Sequence, residues 1–170
     1  MYAVNRLPKQ DAAGSPTGCC AEVKPKDWDG QTFCFKDKLF MKVYTRNFLH
    51  MPLNMGSVMT KAMSAINAAG ASMGDEYVLL SYDASAWKGE HYLSVDKDVP
   101  GQEMVRLSGE YLAKAFEGPY KEAGKWYQQM IDYAKEKDKT PGKIYFYYTT
   151  CPKCAKVYGK NYVIGFAELK

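Results

Sequence analysis

Two carboxylates stand out by their position. Glu110 lies inside LSGEYLAKAF, a run otherwise patterned as a strand, where Glu is depleted, so its charge must meet solvent, a cleft or a partner. Glu117 directly precedes Gly118-Pro119 at an expected helix start. There the free N–H groups and the helix dipole favour an ionised carboxylate, suited to act as a base or counter-charge; plain stabilisation of the helix start is the alternative reading. With Tyr147 donating a hydrogen bond to a carbonyl or leaving oxygen, either Glu can activate water without a cofactor. Trp87, Tyr111, Tyr120, Trp126 and Tyr145 are the candidate walls of a ligand cleft, and core packing is the competing reading for each.

The cysteines offer different chemistry. Cys151 and Cys154 form C-P-K-C after an expected strand, and Cys19 and Cys20 are adjacent near the start of the chain. Four cysteines in two pairs suit zinc or redox chemistry, but a vicinal pair is not the usual second C-x-x-C, and inert thiols lead, so no metal ligands are assigned. If Cys19 or Cys20 folds back beside Cys151 and Cys154, a bound zinc would tie the N-terminal stretch to the rest. His50 and His91 have no second His at ligand spacing, no Ser sits in a nucleophile elbow, and the glycines make neither a dinucleotide fingerprint nor a P-loop. No cofactor is expected.

The elements that must position these groups follow from periodicity. Asn5 to about Lys26 is rich in Gly, Pro, Ser and charge and has no period, so residues 1–30 read as an irregular extension, with the folded body beginning near Trp28. Gln31 to Lys36 and Lys38 to Phe48 alternate as strands around a break at Asp37. Asn54 then caps a helix whose apolar residues recur at 3, 4, 7 and 8 spacing until Gly70, and Glu76 to Tyr82 and His91 to Val95 are short strands. After Pro100-Gly101 the order repeats at a period of roughly 65 to 70 residues. Gln102 to Phe116 is a strand, a helix follows Pro119, and Lys143 to Thr150 and Asn161 to Leu169 are two strands. The fold class is α+β: tandem duplicated β-α-β-β modules, about 31–100 and 101–170, with pseudo-twofold symmetry, an antiparallel sheet carrying two helices, and a ligand cleft between the modules.

Composition narrows the function. The 170 residues suit one core, and five Cys with no long apolar run argue against a secreted disulfide scaffold or a membrane span. A net charge of +4 without a basic block gives no reason to expect nucleic acid. No signal or transit pattern is visible, so the expected location is cytoplasmic. The unusual number is 14 Tyr, nine of them after residue 100. A sheet face carrying such rings and hydroxyls makes a pocket for a flat organic ligand.

The order of the modules, together with AFEGPYKEAGKWYQQM, resembles the GyrI-like small-molecule-binding superfamily over roughly residues 31 to 170, with Gly118-Pro119-Tyr120 as the phrase most like it. TGCCAEVKPKDWDG, HMPLNMGSVM and YYTTCPKCAKVYGKNYV are similar to a stand-alone, uncharacterised bacterial branch described as hydrolase-like. The resemblance implies the effector-binding fold of multidrug-responsive regulators, without their helix-turn-helix, and a cleft carboxylate often borne on the last strand, where NYVIGFAELK offers Glu168 only at its end. The function it implies is binding of planar hydrophobic or cationic organic compounds in an aromatic cleft with a carboxylate, with no nucleic-acid or membrane partner. The alternatives are a hydrolase of reactive, for example cyclopropane-containing, molecules and a metal-stapled structural or interaction protein. Oligomeric state is left open.

Overall fold

A computed structural model of the chain describes residues 2–11, 15 and 20–170. The first strand is longer than expected. The two runs around Asp37 are one strand, β1 (Thr32–Phe48), with a bulge between Phe35 and Lys38 where Asp37 takes a positive φ of 49°. Three bonds hold that bulge: the Asp37 N–H donates to Ser108 Oγ at 2.9 Å, the Ser108 hydroxyl donates to Asp37 Oδ1 at 3.4 Å, and Arg106 donates to the Asp37 carbonyl at 3.1 Å. A two-residue strand, β2 (Met51–Pro52), folds back on the end of β1. Helix α1 (Met55–Ala69) starts after Asn54 and stops at Gly70, whose left-handed φ of 63° suits a residue without Cβ. The Asn54 side chain does not cap it; its Oδ1 accepts the Arg46 N–H at 2.8 Å instead.

Strands β3 (Leu79–Ser85) and β4 (Lys88–Ser94) form a hairpin, and β5 (Glu103–Glu117) opens the second half. Helix α2 (Ala123–Glu136) follows one 3-10 turn, Tyr120–Glu122, and leads to β6 (Pro141–Tyr148) and β7 (Tyr162–Leu169). Between these last strands lies a short helix that the periodicity did not reveal, α3 (Pro152–Tyr158), begun by a proline and ended by Gly159.

The sheet curls on itself. Its order is β2-β1-β4-β3-β6-β7-β5, with β1 also pairing β5, so six antiparallel strands close into a barrel. Closure is uneven: β1 and β5 pair from Thr32↔Leu112 to Lys42↔Glu103, whereas β3 and β6 meet only at Ser81↔Phe146. The expected open cleft face is therefore the inside of a barrel. Strong strand twist makes such curling available, and closure removes two exposed edges.

Alternation along the strands then sorts the core. Outside the barrel, Ala62 and Ile66 of α1 cover Met41, Leu93 and Val95, while Trp126, Met130 and Ala134 of α2 cover Leu112, Phe116, Ile144, Phe146 and Val163. Inside lie Phe33, Phe35, Phe40, Leu80, Tyr92, Tyr111, Tyr145, Tyr147, Ile164 and Phe166. The N-terminal stretch joins this inner cluster through Leu7, Val23 and Trp28, all buried. Trp28 packs against Phe33, Tyr147 and Phe166 with ring centroids 5.7 to 6.0 Å apart. Burying each such side chain contributes roughly 1.5–3 kcal/mol, which offsets the cost of ordering an irregular segment. Among the described residues no helix is long and apolar enough to cross a membrane.

Candidate functional site

Two residues along β6 from Tyr147, the barrel interior changes character from hydrocarbon to phenol and charge. Tyr145 lies 5.8 Å from Tyr82, 5.6 Å from Tyr92 and 6.2 Å from Tyr111, centroid to centroid, so β3, β4, β5 and β6 each contribute one ring. Tyr92, Tyr111 and Tyr145 are buried and Tyr82 is half-buried.

Two carboxylates reach this cluster. Glu90 stands two residues before Tyr92 on β4, hence on the same face, and its Oε1 accepts the Tyr92 hydroxyl at 2.7 Å and the Lys42 ammonium at 3.3 Å. Burial pushes the Glu90 carboxyl up, but the bonds from Tyr92 and Lys42 outweigh it and hold the group below its usual value, ionised. Glu168 lies opposite Tyr111 in the β5–β7 register, and its Oε2 accepts the Lys143 N–H at 3.0 Å. Burial, then the charge of Glu168, pushes the Tyr111 phenol up to about 12. Burial, then Tyr111 and both carboxylates, raises Tyr145, and burial followed by Glu90 raises Tyr92. These phenols are hydrogen-bond donors that stay protonated at neutral pH.

The cations of the cluster sit on ring faces. Lys42 Nζ is 5.1 Å from the Tyr44 centroid and 5.4 Å from that of Tyr92, and Lys143 Nζ lies 4.8 Å from the Tyr82 centroid, across the β3–β6 junction. Lys88 Nζ approaches Tyr44 at 4.3 Å. Such contacts are worth about 0.5–2 kcal/mol depending on desolvation. The region can thus hold a positive charge between phenol faces and a carboxylate, and does so with its own lysines.

The residues singled out from sequence are scattered. Tyr111 and Tyr145 are in the cluster. Tyr147 is buried beside it, but its hydroxyl donates to Gln10 Oε1 at 2.9 Å, tied to the N-terminal stretch rather than to either expected Glu. Glu110 and Glu117 are exposed, and the ladder sets Glu110 on the face opposite Tyr111. Glu117 borders two shallow surface depressions of about 280 and 310 Å³, one shared with Pro25, Lys26 and Tyr162, the other with Gly118, Lys160 and Asn161. Trp126 is buried on the outer face, stacked on Phe116 at 5.5 Å. Tyr120 packs on Tyr148 and donates to the Thr150 carbonyl at 2.6 Å. Trp87 is 58% exposed at the β3–β4 turn, against Phe48.

Glu90, Tyr82, Tyr92 and Lys42 are not among the residues singled out from sequence, and Glu168, noted there only for its place at the end of the last strand, lies opposite Tyr111. Sequence reasoning also missed a buried polar chain on the opposite face of the same strands. Ser81 Oγ is 2.8 Å from His91 Nδ1, His91 Nε2 is 2.9 Å from Thr45 Oγ1, and Thr45 donates to Asn47 Oδ1 at 2.9 Å. Because the Thr45 hydroxyl proton goes to Asn47, His91 donates through Nε2 and accepts from Ser81 at Nδ1. Burial lowers the His91 pKa from 6.5 to about 4 against the opposing pull of Glu90, so the ring is neutral at physiological pH.

The cysteines converge. The sulfurs of Cys20, Cys151 and Cys154 all lie within 4.8 Å of one another; Cys19 lies outside the described residues.

Among solved structures the chain is similar to an uncharacterised conserved protein from Listeria innocua (13% identity, TM-score 0.58, covering 82% of this chain and 91% of that one). It is also similar to a Listeria innocua hydrolase encoded by lin2189 (14%, TM-score 0.56, 84% and 93%) and to SAV2435 bound to tetraphenylphosphonium (11%, TM-score 0.50, 82% and 93%). At such identities the likeness is one of fold. No curated protein matches. The family described as bacterial hydrolase matches residues 10–169, nearly the whole length, and the chain belongs to it.

Proposed function

We propose that the protein binds small organic cations with hydrophobic, planar groups, in the phenol-lined part of the barrel formed by Tyr82, Tyr92, Tyr111 and Tyr145 with Glu90 and Glu168. The observation that carries this reading is the Lys42 ammonium, held 3.3 Å from Glu90 and over the rings of Tyr44 and Tyr92. A ligand cation would take over an environment that already selects positive charge, and its aromatic groups would stack on the remaining rings. Glu90, kept ionised by its neighbours, is the counter-charge. The GyrI-like resemblance, with its two modules related by a pseudo-twofold axis, and the tetraphenylphosphonium carried by SAV2435 support the same ligand class.

Admission requires the barrel to widen, because Tyr92, Tyr111 and Tyr145 are buried. The β3–β6 junction, with one register pair and the Lys143–Tyr82 contact across it, is the place where widening breaks the fewest backbone bonds. Hydrolysis, which the family description makes the competing reading, would use Glu90 or Glu168 in place of Glu110 or Glu117 to activate water, with a phenol of the cluster donating to the leaving oxygen.

Calorimetric titration with tetraphenylphosphonium tests the binding. We expect saturable binding with a rise in Tm, since a ligand of the native state stabilises it. Glu90→Gln should weaken affinity about tenfold, the equivalent of about 1.4 kcal/mol. Absence of both heat and thermal shift at saturating cation, or equal affinity in Glu90→Gln and the wild type, would overturn the proposal. Turnover of reactive esters that is lost in Glu90→Gln or Glu168→Gln would move the assignment to hydrolysis.

A further inference from the structure

We propose that Cys20, Cys151 and Cys154 bind a zinc ion that staples the N-terminal stretch to the β6–α3 corner. This inference does not depend on the ligand proposed for the barrel.

The sulfurs come from two distant parts of the chain and are nonetheless mutually within 4.8 Å. Zinc–thiolate bonds of about 2.3 Å in a tetrahedron put sulfurs about 3.8 Å apart, so a contraction of at most about one ångström completes the geometry. Cys151 and Cys154 are at i and i+3 across the start of α3, which brings both side chains to one side of the turn. The frame around them is built before any metal arrives. Thr149 Oγ1 donates to the Tyr162 carbonyl at 2.7 Å, Thr150 Oγ1 to Asn161 Oδ1 at 2.9 Å, and Asn161 Nδ2 to the Gly118 carbonyl at 2.8 Å, fixing the residues just before Cys151.

Cys20 is delivered by contacts of its own. Tyr158 on α3 donates to the Cys20 carbonyl at 2.5 Å, and the Cys151 N–H points at Cys20 Sγ at 3.5 Å. The two chain segments therefore meet directly at the sulfur. Just beyond, Ala21 and Val23 are buried, so the backbone that follows Cys20 is anchored. Cys154 is fully buried while Cys20 and Cys151 are half-buried, leaving a path from solvent.

Soft thiolates in this number select zinc over magnesium or calcium, which require oxygen donors. On binding, three S–H protons are released and three S–Zn bonds form, with no change of oxidation state, and one position of the tetrahedron remains for a further donor. The three thiolates and the ion carry a net single negative charge, and Lys153, between the two C-x-x-C cysteines, supplies a neighbouring positive one. The staple joins the segment whose Trp28, Val23 and Leu7 fill the barrel to the strand that carries Tyr145 and Tyr147.

The test is elemental analysis of the full chain purified without chelator, with cobalt substitution of the wild type as a second readout. We expect about one zinc per chain and, in the cobalt form, the intense visible bands of a tetrahedral thiolate site. Cys20→Ser and Cys154→Ser should each retain less than about a tenth of the metal, because a site with two thiolates binds far more weakly. Cys34→Ser, whose side chain lies on β1 outside the cluster, should retain all of it. Chelation should lower the wild-type Tm. Less than about a tenth of an equivalent in wild type even after incubation with zinc, equal loss in Cys34→Ser, or cobalt spectra without thiolate bands would overturn the assignment. So would alkylation and mass measurement showing a disulfide among the three cysteines in metal-free protein. Should Cys154→Ser fail to fold, the wild-type stoichiometry and cobalt spectrum decide alone.

Discussion

Acidification should weaken the protein through His91 in a window fixed by its surroundings. The ring is buried, donates to Thr45 and accepts from Ser81, and its pKa falls from 6.5 to about 4. Above pH 6.5 the ring is neutral in both states and its contribution to stability is complete. Between pH 6.5 and about 4 the unfolded chain takes up a proton that the native ring refuses, so the balance shifts towards unfolding; below about 4 both forms are protonated and the loss levels off. At about 1.4 kcal/mol per pKa unit, the full loss is about 3 kcal/mol, a large share of a typical domain's margin. Protonation also reverses the bond at Nδ1, which then donates to Ser81 Oγ and leaves the Ser81 hydroxyl proton to find another acceptor in a buried site. Urea unfolding at a series of pH values, for wild type and His91→Gln, reads this directly. The variant should start less stable by about 1–3 kcal/mol, from orphaned hydroxyls, and then lose less on acidification than wild type does. Parallel profiles between pH 6.5 and 4 would refute the reasoning.

The remaining expectations concern packing. Gly165→Ala would set a Cβ 2.6 Å from Met130 Sδ and 3.2 Å from a Phe116 ring carbon, so the buried Met130 side chain must move, at a cost of about 1–3 kcal/mol visible as a lower midpoint in urea at unchanged slope. Gln10→Ala removes the acceptor of the buried Tyr147 hydroxyl and the donor to the Tyr77 carbonyl, and should cost about 1–3 kcal/mol. Trp28→Ala should cost about 3–5 kcal/mol and release the N-terminal stretch to proteolysis before global unfolding, which limited digestion followed by mass measurement would detect. A variant as resistant as wild type would mean that the stretch is held elsewhere.

What the sequence made legible was what had a period. Alternation through KIYFYYTT and the apolar stripe around Ala62 and Ile66 mark elements that the structure contains, and the order of strands and long helices follows. The N-terminal stretch has no period because it contributes single side chains, Leu7, Val23 and Trp28, to a core built by others. Glu90 was hidden by a boundary. Strand β4 begins at Lys88 rather than His91, so a residue read as loop in fact alternates inward with Tyr92. Gly89 disguised that start, yet a Cβ there would lie 2.6 Å from Thr45 Oγ1, which shows a close approach between strands rather than a turn. Glu168 stands at the end of NYVIGFAELK, but place along a strand does not measure distance from the phenols; the register with Tyr111 puts it alongside. Closure of the barrel rests on β1–β5 and β3–β6 pairings between the two halves, which no local pattern encodes.

The bulge at Asp37 acts on β1 as a frameshift acts on a message. Phe33 and Phe35 face inward at odd positions, whereas Phe40, Lys42 and Tyr44 do so at even ones, because three steps along β1 from Phe35 to Lys38 match two along β5 from Gly109 to Leu107. One strand thereby carries two phases: an aromatic half for the hydrocarbon end and a charged half for the phenol end. If β1 ran regularly through Asp37 with no bulge, the first phase would stay intact and the second would rotate, turning Lys42 and Tyr44 outward and offering Met41 and Val43 to the carboxylate of Glu90. A single extra residue outside the phenol cluster therefore decides which chemistry faces it.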